Sequence, residues 1–366
     1  MSPEESREVF GPISINFHRG VYRVEFRQGL RQTLLQEIRP GDIIFADSNV
    51  LDLYSEIRTS IPFPTTVFPI VASEQNKDLS LIPKLIESVL SAGFRPGNRL
   101  VAIGGGIIQD IVSFSASILH RGVEWIFFPT TLLAQADSCI GGKSSINFGN
   151  FKNQIGGFFP PSKILCVEDF LYSLSDVDFR SGIGEIAHYF CLQSANIFES
   201  FAETVPAALE DRQKAVPLVH ETLLIKKGFI EQDEFDVGRR KLLNFGHSFA
   251  HAIESASAYQ VPHGIAVAYG IDLAFRVSES LEMVGAKDVQ KVWGVIGKIV
   301  EKYEFPNVEG RSIVEALARD KKNTATSFTL ILTRGLGLME VVTLGEIDIV
   351  RALLEDRLRA YTQAVA

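Results

Sequence analysis

RLVAIGGG (99–106), followed directly by IIQDIVSFSASIL (107–119), is the stretch from which the fold is read. Its apolar run up to the glycines marks a strand covered on both faces, and the run after them repeats apolar residues at helical spacing. Strand, glycine turn and helix in succession build a parallel sheet, because parallel neighbours need a crossover between them. The same alternation continues on both sides. GDIIFAD (41–47) is a strand pattern leading into helix-like VLDLYSEI (50–57), and TTVFPIV (65–71) is a second strand. LSLIPKLIESVLSAG (79–93) has an amphipathic helical period stopped at Gly93, and VEWIFFP (123–129) is a further strand closed by a proline. From about residue 175 helical patterns dominate instead: VDFRSGIGEIAHYFCLQSA (177–195), AVPLVHETLLIKKGFI (215–230), HSFAHAIESASAY (247–259), GIAVAYGIDLAFRVSESL (264–281) and IVRALLEDRLRAYTQ (349–363). One late apolar run, FTLILT (328–333), predicts a short strand. The expected organisation is an α/β domain with a parallel sheet over 1–174 and a mostly helical domain over 175–366. A ligand is expected in the cleft between them.

The composition agrees with this and narrows the function. A chain of 366 residues with 46% hydrophobic and 22% charged residues is long enough for two globular domains and is neither disordered nor fibrous. A net charge of −8 argues against a protein that grips nucleic acid by neutralising phosphates, so an anionic ligand would need a local basic pocket. Three cysteines with no C-x-x-C point to a reducing compartment. The opening MSPEESREVF lacks the order of a secretory signal, and no uninterrupted apolar run reaches membrane-spanning length. The expectation is a cytoplasmic protein with neither a nucleic-acid nor a membrane partner.

The glycines Gly104, Gly105 and Gly106 serve either a cofactor phosphate at a helix N-terminus or a plain tight turn. Asp47 and Asn49, Glu74 and Lys77, and Thr130 and Thr131 follow other strand ends, where an open parallel sheet binds ligands. Asp47 and Thr130 equally suit helix caps. DSCIGGKSSINFGNFKN (137–153) reads as a glycine-rich polar loop whose Lys143, Lys152 and Asn153 can bind an anion, joined by Arg121, or as ordinary surface. In RRKLLNFGHSFAHAIES (239–255), His247 and His251 stand four apart on one helical face, the spacing of a metal pair, with His263 following and Glu254 and Glu185 as nearby carboxylates. Histidines that fill or cap a helix end are the alternative. Arg240, Lys241 and DKK (320–322) make the region anion-friendly.

GGGIIQD (104–110), HRG (120–122), PTTLLAQADSCIGGKSSIN (129–147), FKNQIGGFFPP (151–161), SGIGEI (181–186), RKLLNFGHSFAHAIE (240–254), HGIAVAYG (263–270) and DKK (320–322) together resemble the dehydroquinate synthase family of sugar phosphate cyclases. The resemblance implies a Rossmann-like N-terminal domain, a helical metal-binding domain, bound NAD, one Zn2+ (or Co2+) and a homodimer. By position, it implies Glu185, His247 and His263 as metal ligands, replacing the spacing-based pair, with His251 moved to the substrate phosphate. Asp137, Lys143, Asn153, Lys226, Arg240, Asn244, His251 and Lys322 would line the pocket, with Arg121 reaching in from a second subunit. NAD contacts would fall on Asp47, Asn49, Glu74, Lys77, Gly105, Gly106, Asp110, Thr130, Thr131, Lys152 and Ser173.

The family's reaction uses NAD to oxidise a ring hydroxyl of a phosphorylated sugar acid, eliminates phosphate, reduces the ketone back, and closes a carbocycle by an aldol step. Arg240 suits a planar carboxylate, which points to an acid such as 3-deoxy-arabino-heptulosonate 7-phosphate. Two positions depart from the family. His188 stands where the family has lysine, and Gln109 where it has glycine. These leave open a cyclase of secondary metabolism acting on an amino analogue, sedoheptulose 7-phosphate or glucose 6-phosphate. Further alternatives are a metal-dependent polyol dehydrogenase and a non-catalytic paralogue.

Overall fold

The apolar runs of the first half become the middle of one sheet. The computed structural model describes residues 10–149, 151–319, 323, 327–345 and 348–363. Its strands are β1 (Ile13–Phe17), β2 (Gly20–Arg27), β3 (Ile43–Asp47), β4 (Thr66–Ile70), β5 (Leu100–Gly104), β6 (Trp125–Pro129), the hairpin β7 (Lys143–Phe148) and β8 (Phe151–Phe158), and β9 (Lys163–Val167). Seven of them form the main sheet in the order β1-β2-β9-β6-β5-β3-β4. Only the β1–β2 pair is antiparallel there; β2, β9, β6, β5, β3 and β4 run parallel. Every residue of β5 and β6 is buried, the pattern of strands covered on both faces.

One face packs Ile44, Ala46, Val101, Ile103, Ile126, Phe128, Leu165 and Val167 against α1 (Leu30–Glu37), α2 (Ser48–Leu53), α3 (Glu56–Thr59) and residues near the chain's next turns. The alternate residues Phe45, Ala102, Phe127 and Ile164 point to the opposite face and are equally buried. The amphipathic run after β4 is α4 (Leu81–Ser91), and the run after the glycines is α5 (Gly106–Ile118), which packs on β3, β5 and β6. A short α6 (Asp169–Tyr172) follows β9.

The stretch 137–153 is not a loop. A π-helical turn, Ala134–Ser138, leads into the β7–β8 hairpin, a separate two-stranded sheet packed on α5. Its residues are too polar to show the apolar alternation that marks a strand, and besides the hairpin ladder the backbone of Asn147 bonds to Lys77 and Leu79.

The chain divides into two compact units, Met1–Leu174 with Leu223–Phe235, and Ser175–Thr222 with Asp236–Ala366. The second unit is mostly helical: α7 (Asp176–Cys191), α8 (Ala195–Glu210), α9 (Ala215–Ile230, whose later part belongs to the first unit), α10 (His247–Ala256), α11 (His263–Ser280), α12 (Ala286–Val300), α13 (Gly310–Ala318) and α14 (Asp348–Gln363). The expected late strand is β10 (Phe328–Thr333), paired antiparallel with β11 (Met339–Leu344).

Three glycine contacts set close approaches in this unit. A Cβ on Gly264 would lie 1.7 Å from the Ser181 carbonyl oxygen, and one on Gly184 would lie 2.1 Å from the Gly264 oxygen, so α7 and α11 touch backbone to backbone. A Cβ on Gly270 would lie 2.2 Å from the Gly246 oxygen, which lets the start of α10 seat on α11. No helix among the described residues is long and apolar enough to cross a membrane.

Candidate functional site

The glycine contacts of the second unit bring three side chains together from three helices. Glu185 is on α7, His247 opens α10 and His263 opens α11. His247 Nε2 lies 3.6 Å from Glu185 Oε1, and His263 Nε2 lies 3.7 Å from Glu185 Oε2. One ligand atom from each falls within 4.8 Å of the others.

The outer ring nitrogens are engaged. His247 Nδ1 is 3.1 Å from the Phe245 carbonyl oxygen, and His263 Nδ1 is 3.2 Å from Glu254 Oε1. Both partners are acceptors, so each Nδ1 carries a hydrogen and each Nε2 is the nitrogen that faces Glu185. Burial opposes ionisation of Glu185 most strongly, yet the attraction of His247, then of His263 and His188, holds its carboxyl well below the usual range. Its Oε2 is buried and accepts no hydrogen bond from any described residue. A carboxylate and two imidazole nitrogens gathered this closely fit a divalent ion of the zinc or cobalt kind, with positions left for further ligands.

Around this trio, His251 is exposed, its ring 5.9 Å from those of His247 and His263. With Glu254 and His263 it forms a second group able to hold a metal. The four-residue spacing therefore does bring His247 and His251 near one another, but Glu185, from another helix, completes the more buried set. Arg240 is buried in a 3-10 turn, Arg239–Asn244, and Asn244 at its end donates to the Lys241 carbonyl at 3.0 Å. His188, one turn along α7 from Glu185, is fully buried with Nδ1 3.7 Å from Glu185 Oε1. Lys322 lies outside the described residues.

In the first unit the three glycines do different things. A Cβ on Gly104 would meet Ile108 Cγ1 at 2.4 Å, so this glycine lets α5 pack close to its strand. Gly105 faces Thr131 Cγ2 at 3.2 Å, and Gly106 has only Ser138 Oγ nearby at 3.7 Å. No side chain caps α5, which leaves its first N–H groups for an anion. Thr130 is buried and its N–H donates to the Gly104 carbonyl, while Thr131 Oγ1 accepts from the Ala134 N–H. Gln109 is buried and donates to the Ser138 carbonyl at 2.7 Å while accepting from Ser138 Oγ at 2.8 Å. It turns towards the π-helical turn.

A polar cluster joins α5, the hairpin and the segment after β4. Lys77 Nζ donates to Asp110 Oδ2 at 3.1 Å and to Asn153 Oδ1 at 2.7 Å. Ser145 donates from N to Asp110 Oδ1 and from Oγ to Asp110 Oδ2 and Asn153 Oδ1. Asn147 Nδ2 donates to Glu74 Oε1 at 2.8 Å and its Oδ1 accepts from the Asn153 N–H. Burial pushes the Asp110 carboxyl up, with Lys77 pulling against it. Glu74, Lys77, Asp110 and Asn153 are thus one network. Ser145 and Asn147, the latter where the β7–β8 pairing shifts register, complete it and carried no signal in the sequence.

Separately, Lys226 is buried and donates to the Asp137 carbonyl and to Asp137 Oδ1 at 2.6 and 2.7 Å. Asp47 Oδ1 accepts from the Asn49 N–H and caps α2, and burial raises its carboxyl. Ser173 Oγ donates to the Phe170 carbonyl. Lys143, Lys152 and Arg121 are exposed, Arg121 with a positive φ of 66°.

Comparison with known proteins covers both units, with a boundary inside α7. The family model for the 3-dehydroquinate synthase N-terminal region matches residues 67–181, and that for the C-terminal region matches 182–323. The 3-dehydroquinate synthase of Cereibacter sphaeroides is 33% identical over 94% of this chain and 98% of that protein. A 2-deoxy-scyllo-inosose synthase solved with carbaglucose-6-phosphate, NAD+ and Co2+ superposes with a TM-score of 0.82 at 20% identity, covering 94% of this chain and 100% of that one. The 2-epi-5-epi-valiolone synthase of Streptomyces hygroscopicus, solved with NAD+ and Zn2+, gives 0.81 at 23% identity, covering 93% and 97%. At these identities the structural likeness speaks for the fold: a mostly parallel Rossmann-like sheet followed by helices. By sequence, over nearly its whole length, the chain belongs to the 3-dehydroquinate synthase family.

Proposed function

We propose that this protein is a cytoplasmic, homodimeric sugar phosphate cyclase that uses NAD and a divalent metal, zinc or cobalt, to convert 3-deoxy-arabino-heptulosonate 7-phosphate or a close analogue into a carbocycle. The observation that carries this is the gathering of the Glu185 carboxylate, Oε1 towards His247 Nε2 and Oε2 towards His263 Nε2, with each imidazole oriented through its Nδ1. NAD supplies a hydride acceptor that is restored within each turnover, and the metal supplies a Lewis acid for vicinal hydroxyls.

The chain's own residues hold and orient the rest. Glu185, His247 and His263 hold the ion. The α5 N-terminus with Gly105, Gly106, Thr130 and Thr131, together with Asp47, Asn49, Glu74, Lys77, Asp110, Lys152 and Ser173, holds the dinucleotide. Buried Arg240, with Asn244, is suited to a carboxylate through two parallel N–H bonds. Lys143, Lys152, Asn153, His251, Lys322 and Arg121 of a second copy stabilise the phosphate as charge moves onto it. The ion-paired Lys226 and Asp137 form a fixed donor–acceptor pair for substrate hydroxyls. Because the departing phosphate can accept the proton from the adjacent carbon, no dedicated carboxylate base is required.

A second reading, a cyclase of the same chemistry with a different phosphosugar, is favoured by His188 and Gln109. The first puts a short imidazole where the family has a long cation, and the second fills space beside the glycine turn.

The test is phosphate release from the heptulosonate with NAD and zinc, against an EDTA control, with the product identified by NMR. Metal-dependent release giving dehydroquinate without net NADH is the expected result. No release from protein that demonstrably binds metal and NAD moves the assignment to the amino analogue and then to the neutral phosphosugars. Accumulating NADH overturns the cyclase reading.

A further inference from the structure

The π-helical turn Ala134–Ser138 ends on two consecutive carbonyls, each held by a side chain from another element. The Asp137 carbonyl accepts from Lys226 Nζ of α9 at 2.6 Å, and the Ser138 carbonyl accepts from Gln109 Nε2 of α5 at 2.7 Å. Lys226 also donates to Asp137 Oδ1 at 2.7 Å. Gln109 is buried, and Ser138 Oγ donates back to its Oε1 at 2.8 Å. A carbonyl can only accept, so the amide nitrogen must face that of Ser138, and the amide oxygen takes the hydroxyl hydrogen. Both ends of one side chain are spent on one residue.

We infer that Gln109 is a positioning residue: its amide clamps Ser138 at two points, fixes the end of the π-helical turn, and so holds Asp137 in place against Lys226. This rests on the reading of Asp137 and Lys226 as the donor–acceptor pair for substrate hydroxyls.

Carbonyls at the end of a helical turn have no partner within it and must find donors elsewhere. The turn's own closing bond runs from Cys139 N to the Ala134 carbonyl, five residues back, at 3.1 Å. Its early part is pegged to the sheet by Gln135, whose amide nitrogen donates to the carbonyls of Pro129 on β6 and Val167 on β9, each at 3.1 Å. Its late part is held by Gln109 and Lys226. A loosened Ser138 frees the backbone one residue from Asp137, where a shift of about 1 Å is enough to cost up to about 100-fold in rate.

The test is hydrogen exchange of the apoprotein by mass spectrometry, read on peptides spanning residues 131–142. Beside it, kcat/KM for phosphate release and NAD affinity are measured. Gln109→Leu removes both arms of the clamp, and Ser138→Ala removes the hydroxyl arm alone. Gln109→Glu keeps the shape. Its protonated form donates to the Ser138 carbonyl and accepts from the hydroxyl as the amide does, whereas its carboxylate has no hydrogen to donate. In Gln109→Leu the peptides are expected to exchange about 10-fold faster. Its kcat/KM should fall by about 10–100-fold with NAD affinity unchanged, and Ser138→Ala should fall between it and wild type. Gln109→Glu should match wild type at acid pH and Gln109→Leu at alkaline pH, each compared with wild type at the same pH. Wild-type exchange in a folded Gln109→Leu overturns the inference. So does a Gln109→Glu that does not respond to pH, which means packing alone, and so does a loss of NAD affinity equal to the loss of kcat/KM, which means an effect through α5. If Gln109→Leu does not fold, Gln109→Glu and Ser138→Ala carry the same contrast. Asp137→Asn working at the wild-type rate overturns the role given to that pair, and this inference with it, whatever the exchange shows.

Discussion

His263 faces a carboxylate through each ring nitrogen, Glu254 through Nδ1 and Glu185 through Nε2. Because Glu254 can only accept, it fixes the hydrogen on Nδ1 and raises the basicity of the nitrogen aimed at the proposed metal position. Glu254→Ala is therefore expected to weaken Zn2+ binding about 10–100-fold by calorimetry, with little change in far-ultraviolet circular dichroism. The same contact gives a pH dependence. Burial would raise the Glu254 carboxyl, but the hydrogen bond and charge of His263 bring it below its ordinary value of 4.5. A carboxyl lowered in the folded state contributes stability that is present above its unfolded value and lost as pH falls through the folded one. Metal-free protein should lose urea stability as pH drops below about 4.5, and Glu254→Gln should flatten part of that slope. An unchanged slope would show that the contact does not form in solution.

Among the elements, the approach of α7 to α11 decides whether Glu185 and His263 can meet. Gly264→Ala puts a methyl group 1.7 Å from the Ser181 carbonyl, which neither helix can absorb without moving. Its expected cost is about 1–3 kcal/mol in urea unfolding, with loss of metal affinity as the two ligands separate. Gly294, exposed inside α12 with nothing within 4 Å of an added Cβ, gives the opposite sign. Gly294→Ala should stabilise by about 0.8–1.0 kcal/mol, since alanine removes backbone freedom without a clash. The last helix is tied in by charge. Asp272 on α11 is buried and accepts from Arg276, from Arg357 Nε at 2.9 Å and from the Tyr361 hydroxyl. Asp272→Ala strands two arginines and should destabilise the protein by about 3 kcal/mol, measured by denaturant midpoint.

For the whole molecule, the residues proposed to hold the metal belong to the second unit and those proposed to hold NAD to the first, so each should respond to its own ligand. Zn2+ at about 100 times its dissociation constant should stabilise by about 2.7 kcal/mol, a shift removed by EDTA and absent in His247→Ala. NAD should raise the thermal midpoint in that variant as it does in wild type. Loss of the NAD response with His247 would contradict independent sites.

Much of this architecture was legible in advance, and the parts that were not have identifiable causes. Strands β3, β5 and β6 announce themselves because a strand buried on both faces must be nearly all apolar. Strand β2 hides its signal in the alternation of Tyr22, Val24 and Phe26, which a search for continuous runs passes over. The β7–β8 hairpin carries no apolar alternation, so from sequence its lysines and asparagine read as a loop. Helical spacing brought His247 and His251 to notice, because neighbours on one helix are fixed by its pitch. Which groups face them is not a local matter. That Glu185 from α7 and His263 from α11 share one point with His247 depends on backbone contacts at Gly184, Gly264, Gly246 and Gly270, between segments far apart in the chain. The alternation of strand and helix, the helical second half and the family follow from residue order, since each is a local pattern. The gathering of a carboxylate and two imidazoles from three helices does not, because the distances between helices are set by packing.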